Sequence, residues 1–231
     1  MRTSDQINDI KERQSNPVQF INAITKEKID FLIDYYKSTN KIQKNTGPQY
    51  SNVKEGDGVV DDIIELLRLQ FGNFTVRDIQ FFNVEKPHII HIDDKFEYPR
   101  SYKAFAIPLE VNGNNCNLAK LIMFNQYYYG GPAKFVKGSD EKQLPVYYNK
   151  YVTDYNEVEN KDKQGIPLEI KKLMTHLRPL WTHELSVQCY FPWTIGSIIA
   201  FDSLQLHCAS DFTNVDIKSK LGMSIFTTWE N

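Results

Sequence analysis

The hydrophobic pattern of the chain changes near Phe74, from a helical period of about 3.6 residues to a strand period of two. Upstream, apolar residues at helical spacing predict a helix over residues 26–37, with Thr25 as its N-cap. A second amphipathic helix is predicted from about Val60 to Gln70, where Gly72 follows as a terminator. Downstream, short segments rich in β-branched and aromatic residues are separated by Gly, Asn, Pro and Asp. This change restricts the chain to helices followed by a mainly β region.

The β region is predicted to be a sandwich or jelly roll. The predicted strands cover residues 74–76, 79–82, 88–93, 102–111, 119–129, 186–191, 197–208 and 221–229. Residues 112–115 (Asn-Gly-Asn-Asn) predict a hairpin turn between two of these strands. A short helix is predicted at residues 170–177. We expect a single domain, in which residues 1–73 form a helical support and residues 74–231 form the core.

A long polar, tyrosine-rich segment at about 130–165 interrupts the core strands. Loops of this length in compact domains are often functional lids. A surface insertion without such a role is an equally open interpretation.

Composition limits the class of protein. The 231 residues suit one domain, and a net charge of -2 provides no overall basic field for nucleic acid. Three widely spaced cysteines without CxxC spacing indicate a reducing compartment and argue against a disulfide framework. The N-terminus lacks an apolar signal-peptide run, and the longest apolar runs are too short to span a bilayer. We therefore expect a soluble, cytoplasmic protein without a membrane partner.

The candidate chemistry lies in His91-Ile92-Asp93. In a strand, residues two apart point to the same face, so His91 and Asp93 can meet one metal ion. One further histidine would complete a 2-His-1-carboxylate facial triad, which holds non-haem Fe(II) and leaves open positions. His207 is the candidate, because it ends an apolar segment that begins after Gly196.

The other three histidines are less suited to the third position. His176 lies on the predicted short helix, and His183 lies in a connector near Pro179. His88 is three residues before His91, so in a strand it would face the other way. We interpret His88 as a neighbour of the site.

The order of HxD, a long gap, a histidine after a Gly-led strand and then a basic residue resembles the 2-oxoglutarate/Fe(II)-dependent dioxygenases. The resemblance covers roughly residues 80–229 without the 130–165 segment, and the arrangement is similar to that of small phage and marine members. It implies a mainly β, cupin-like double-stranded β-helix (jelly roll) with N-terminal helices. It also implies that His91, Asp93 and His207 are the catalytic metal ligands for Fe(II), with 2-oxoglutarate and O2 as cosubstrates.

The family further implies a basic residue that binds the distal carboxylate of 2-oxoglutarate. Most members use arginine, but no arginine follows Arg178 here, so the lysine of the prolyl-4-hydroxylase-like branch is the expected substitute. Lys218 and Lys220 compete for this role, and Lys220 is favoured because an apolar strand follows it directly. A lysine inside a barrel is unfavourable unless an anion pairs with it. Tyr102 is a second candidate for binding the cosubstrate, because its hydroxyl could donate to a carboxylate. It can equally be an edge residue that covers the core.

The resemblance implies hydroxylation of an unactivated C–H bond, with release of succinate and CO2. A peptide side chain or a small metabolite is favoured as the substrate, and nucleic acid is less favoured because lysines and acidic residues are interleaved. The alternatives are a nucleic-acid dealkylase of the same superfamily, a cupin-type metalloprotein and a non-catalytic jelly-roll module.

Asp211 can orient a metal ligand from outside the metal's coordination sphere or be an ordinary turn residue. The sequence gives no oligomeric state.

Overall fold

The computed structural model describes residues 2–39, 52–94, 100–114, 118–129, 134–135, 146–147, 166–177, 182 and 185–230. Its N-terminal elements are α1 (Ser4–Glu12), β1 (Val18–Phe20), α2 (Lys26–Thr39), β2 (Asn52–Val53) and α3 (Asp61–Phe71). The following elements are β3 (Phe74–Val84), β4 (Ser101–Gly113), β5 (Lys120–Tyr127), β6 (Lys134–Phe135), β7 (Val146–Tyr147), α4 (Leu168–Lys171), β8 (Val187–Pro192), β9 (Ile198–Asp202), β10 (Gln205–Ala209), a 3-10 helix (Phe212–Val215) and β11 (Ile217–Trp229).

The described strands form two principal antiparallel sheets. The larger has six strands in the order β1-β9-β4-β11-β3-β2, and the smaller has three in the order β10-β5-β8. Alternate side chains of the two sheets pack together in one buried cluster, which includes Ala106, Met123, Ile199 and Phe201. Two sheets that share a core in this way form a jelly roll, and the mainly β class with N-terminal helices is confirmed.

The helices α2 and α3 cover the outer face of the six-stranded sheet. Leu32 and Leu67 are buried in the same cluster as Phe105 and Ile225 of the sheet. Each such side chain contributes about 1.5–3 kcal/mol through burial of apolar surface. The predicted cap is present as well, since the Lys28 amide donates to Thr25 Oγ1 at 3.3 Å. Both predicted helices are therefore confirmed.

The helix α1 lies elsewhere, and the sequence pattern did not predict it. A capping box begins it, in which Thr3 and Gln6 exchange side-chain and backbone hydrogen bonds. Its Ile7 and Ile10 are buried in a cluster with residues 90 and 92, both isoleucines. The helix α1 thus packs behind the segment that carries His91 and Asp93.

Three sequence-based expectations about the strands are wrong. Residues 88–93 form no regular strand, because they pair only through an isolated bridge between His91 and His207. Residues 197–208 form two strands, because a turn at 203–204 moves the chain from the large sheet to the small one. The strands on either side of residues 112–115 do not form the expected hairpin, because β5 pairs with β8 and β10 rather than with β4.

Most of the 130–165 segment lies outside the described residues. The hypothesis that this segment forms a lid therefore concerns residues that the structure does not describe. The short strands β6 and β7 within it pair with each other. The predicted helix at 170–177 is shorter than expected and covers Leu168–Lys171. None of the helices in the described ranges combines the length and apolar character needed to cross a bilayer. The single-domain boundaries proposed from the sequence stay a prediction.

Candidate metal centre

Backbone hydrogen bonds join the two parts of the chain that carry the candidate ligands. The amide of His91 donates to the His207 carbonyl, and the amide of His207 donates to the His91 carbonyl, both at 3.0 Å. The Asp93 amide donates to the Ser203 carbonyl at 2.9 Å. These bonds place the HxD segment beside β10, although no continuous ladder forms there.

The three candidate side chains meet at one point. His91 Nε2 lies 3.7 Å from Asp93 Oδ1, and His207 Nε2 lies 3.6 Å from Asp93 Oδ2. One possible ligand atom from each residue lies within 4.8 Å of the others. The structure therefore brings together the three residues that the sequence suggested as a facial triad.

In each imidazole the hydrogen bond is made by Nδ1, which leaves Nε2 available for a metal. His91 Nδ1 lies 2.7 Å from the Ile89 carbonyl oxygen, and His207 Nδ1 lies 3.0 Å from the Gln205 carbonyl oxygen. A carbonyl oxygen only accepts, so each Nδ1 carries the proton and donates. Each Nε2 then has a lone pair, and both Nε2 atoms face Asp93. Backbone carbonyls fix metal-binding histidines in this way.

Electrostatics of the site favour a bound cation. Burial lowers the pKa of the His207 imidazole well below its usual value, so this ring is neutral. Burial also raises the pKa of the Asp93 carboxyl, and His91, His88 and Arg77 oppose part of this rise. A divalent cation would compensate the buried carboxylate and accept a lone pair from each imidazole Nε2. Two imidazoles and one carboxylate with open positions fit Fe(II).

The triad lies in a cavity of about 200 Å³ that also contains Lys220. Lys220 is 3% exposed, and its Nζ lies 4.3 Å from the centre of the Trp193 ring and 4.7 Å from that of Phe212. No hydrogen bond or ion pair within the described part of the chain reaches this amine. Burial lowers its pKa from 10.5 to about 7. Lys218, in contrast, is exposed and does not line this cavity.

Several residues that line this cavity had no sequence signal of their own. They are Gln80, Phe82, Trp193, Phe201, Ser224 and Phe226. They come from three different strands and a connector, and only the strand pairing brings them together. Alternation of side chains along β3 and β11 identifies the cavity face once the register is known.

Other candidates from the sequence lie in different places. The hydroxyl of Tyr102 donates to the Phe71 carbonyl at 3.0 Å, and Tyr102 lines a separate, smaller pocket rather than the cavity of the three candidate ligands. His88 does line the cavity, and its ring centre lies 5.5 Å from that of His91. Burial lowers the pKa of His88 to about 4.

Asp211 accepts hydrogen bonds from the hydroxyls of Thr175 and Thr213, which do not line the cavity. Its contacts are therefore those of a turn residue.

Comparisons with known proteins agree with this fold. No known family profile matches the sequence, and no curated protein matches it. The viral collagen prolyl hydroxylase vCPH of Paramecium Bursaria Chlorella virus-1, solved as a 2OG complex, aligns with a TM-score of 0.51 at 11% identity, covering 94% of this chain and 97% of that one. The non-heme alpha ketoglutarate dependent epimerase SnoN from nogalamycin biosynthesis aligns with a TM-score of 0.52 at 10% identity, covering 97% of this chain and 80% of that one.

These similarities define the fold. The chain has the double-stranded β-helix of the 2-oxoglutarate/Fe(II) oxygenases, and the resemblance found in the sequence is confirmed at the level of the fold.

Proposed function

We propose that this protein is an Fe(II)- and 2-oxoglutarate-dependent oxygenase that hydroxylates an unactivated C–H bond. The observation that carries the proposal is the arrangement of the cavity. Two imidazole Nε2 atoms and a carboxylate converge at one place, and the same cavity contains a buried lysine that has no anionic partner among the described residues. These are the two kinds of group that an iron ion and a dicarboxylate require.

His91, Asp93 and His207 are the proposed catalytic iron ligands. A metal held by these three residues would keep further positions open for 2-oxoglutarate and O2. When bound, Fe(II) and 2-oxoglutarate supply the oxidation that releases succinate and CO2 and adds an oxygen atom to the substrate. The protein contributes a fixed ligand set and a cavity with mainly apolar walls.

Lys220 is the proposed anchor for the distal carboxylate of 2-oxoglutarate. In its protonated form the amine can donate to this carboxylate, and the surrounding low dielectric strengthens the interaction. The rings of Trp193 and Phe212 restrict where the amine can move. A bound dicarboxylate would offset the free-energy cost of the buried charge.

The cavity volume suggests how the substrate is bound. About 200 Å³ is below the range of about 300–1,000 Å³ that is typical of sites for drug-sized ligands. A molecule of the size of 2-oxoglutarate therefore occupies most of the space among the described residues. The substrate would present a reactive group at the mouth, as a peptide side chain or a small metabolite can. The net charge of -2 makes a nucleic acid the less favoured substrate.

The function can be tested without knowledge of the substrate, because enzymes of this type can oxidise 2-oxoglutarate slowly on their own. The purified protein is incubated with Fe(II), 2-oxoglutarate and oxygen, and succinate is quantified. We expect succinate to form with the wild type and not with His91→Ala or His207→Ala. Lys220→Met should require a higher 2-oxoglutarate concentration and bind metal normally, and Lys218→Met should behave as the wild type.

Two results would contradict the proposal. Succinate formation that persists in both histidine variants would show that the iron is held elsewhere. Metal binding by the wild type without any binding of 2-oxoglutarate would indicate a metalloprotein of the cupin type instead.

A further inference from the structure

The backbone of Asp93 has few ladder hydrogen bonds to hold it in place. The surrounding segment pairs with β10 through the bridge at His91 and through one more backbone bond, from the Ala209 amide to the His88 carbonyl at 3.2 Å. Beyond that bridge, the Asp93 amide has its bond to the Ser203 carbonyl. The carboxylate itself receives no hydrogen bond from the described residues, which leaves it free for a metal but leaves its position undetermined.

A guanidinium group supplies the missing support. Arg77 Nη2 donates to the Asp93 carbonyl at 2.9 Å, and Arg77 Nη1 donates to Asp94 Oδ1 at 3.2 Å. The side chain of Arg77 is 5% exposed, and that of Asp94 is fully buried. The Arg77 guanidinium, on β3, thus holds both the main chain of Asp93 and the side chain of Asp94.

A second arginine, Arg2 near the N-terminus, also binds the Asp94 carboxylate. Arg2 Nη2 donates to Asp94 Oδ2 at 2.6 Å and to Ser101 Oγ at 3.2 Å. Ser101 Oγ also donates to Asp94 Oδ1. The side chain of Arg2 is 4% exposed. A buried ion-pair cluster of two arginines and one aspartate therefore lies next to the segment that carries His91 and Asp93.

The helix α1 reinforces this support on the same side. Arg2 directly precedes the N-cap of α1, and Ile7 and Ile10 of α1 pack with Ile90 and Ile92. These two isoleucines alternate with His91 and Asp93, so apolar contacts hold one face of the segment and the candidate ligands project from the other. Buried ion pairs are weak evidence for a stabilising role, because desolvation of the charges can exceed their attraction.

We propose that Arg77, Asp94 and Arg2 are positioning residues that hold the Asp93 carboxylate at the metal, with helix α1 as part of the support. This proposal rests on the proposed metal site. The position of the Asp93 carboxylate, rather than the stability of the fold, is the property that these residues provide. Residues that orient a metal ligand typically change metal affinity by about 10–100-fold when they are replaced.

Titration of the metal-free full chain with Co(II), followed by visible absorption, tests this without any need for turnover. Arg77→Met keeps one arginine for Asp94 and removes the donor to the Asp93 carbonyl. We expect the Kd for Co(II) to rise by about 10–100-fold and the Co(II) absorption bands to change shape. Arg2→Met should have a smaller effect of about tenfold, and Arg77→Lys should restore part of the affinity.

The matched control is Leu32→Ala in α2. Leu32 is 0% exposed and belongs to the cluster on the opposite side of the six-stranded sheet. Its replacement destabilises the core, so a Kd within about twofold of the wild type would show that lost stability alone does not weaken metal binding. If Arg77→Met fails to fold, Arg2→Met and Arg77→Lys give the same comparison.

The outcomes are separable. Wild-type Kd values and spectra in the arginine variants would overturn the positioning role and leave the metal site intact. An equal loss in Leu32→Ala would also overturn it, because the effect would then be general destabilisation. A wild-type protein that binds no Co(II) at all would overturn the metal site and the proposed function with it.

Discussion

Replacement of Lys220 by methionine should stabilise the ligand-free protein. The amine is 3% exposed, and burial lowers its pKa from 10.5 to about 7. Each unit of pKa difference corresponds to about 1.4 kcal/mol, so at pH 7 the buried amine costs about 4 kcal/mol of folding free energy. The Trp193 and Phe212 rings offset part of this cost through cation–π contacts. We therefore expect Lys220→Met to raise the free energy of unfolding by about 2–4 kcal/mol at pH 7.

The gain should depend on pH in a defined direction. Between pH 7 and 10.5 the unfolded chain binds a proton at Lys220 and the folded chain does not, so wild-type stability rises with pH there. The advantage of the variant is therefore largest at and below pH 7 and falls by up to about 1.4 kcal/mol per pH unit above it. Among the described residues, the titratable groups whose charges interact with this amine include His88, His176 and Cys208.

Urea denaturation between pH 6 and 10, in the presence of a chelator, measures this difference. Lys218→Met is the matched control, because Lys218 is exposed on the same strand, and its effect should stay within about 0.5 kcal/mol. A variant that is less stable than the wild type at pH 7, or a difference that does not change with pH, would refute the reasoning. The same would follow if Lys218→Met gave an equal gain.

Three further changes have defined outcomes. In calorimetric titrations, the affinity of the metal-loaded protein for 2-oxoglutarate should fall by up to about tenfold per pH unit above pH 7, because binding requires protonated Lys220; a constant Kd would contradict this. Gly222→Ala should cost about 1–3 kcal/mol in urea denaturation, since a Cβ there would lie 2.6 Å from Phe82 Cζ and 2.9 Å from Trp193 Cζ2; unchanged stability would show that these rings can move. Lys103→Met should cost about 3–5 kcal/mol because it leaves Asp202 buried without its cation, and the Kd for Co(II) should stay unchanged.

The candidate ligands were accessible to sequence reasoning because their signal is local. A period of two places His91 and Asp93 on one side even though the segment is too irregular to be a strand. The position of His207 follows from the apolar run before it, although a turn at 203–204 divides that run between the two sheets. The preference for Lys220 over Lys218 likewise follows from the strand that begins beside it.

The remaining features depend on contacts between distant parts of the chain. Arg77 and Arg2 approach Asp94 only after β3 and α1 have packed against the HxD segment. Nothing in the local sequence distinguishes these arginines from solvated ones. The wrong hairpin at residues 112–115 has a related cause, because turn residues do not reveal which sheet the next strand joins. Tyr102 shows the same limit, since its partner is the Phe71 carbonyl at the end of α3.

Anaerobic addition of 2-oxoglutarate to the Fe(II)-loaded protein tests the central claim most directly. If His91, Asp93 and His207 hold iron that 2-oxoglutarate chelates, a metal-to-ligand charge-transfer band should appear in the wild type and in Lys218→Met. The band should be absent from His91→Ala and His207→Ala, and Lys220→Met should need a higher 2-oxoglutarate concentration to reach it. A band of unchanged intensity in both histidine variants would contradict the account.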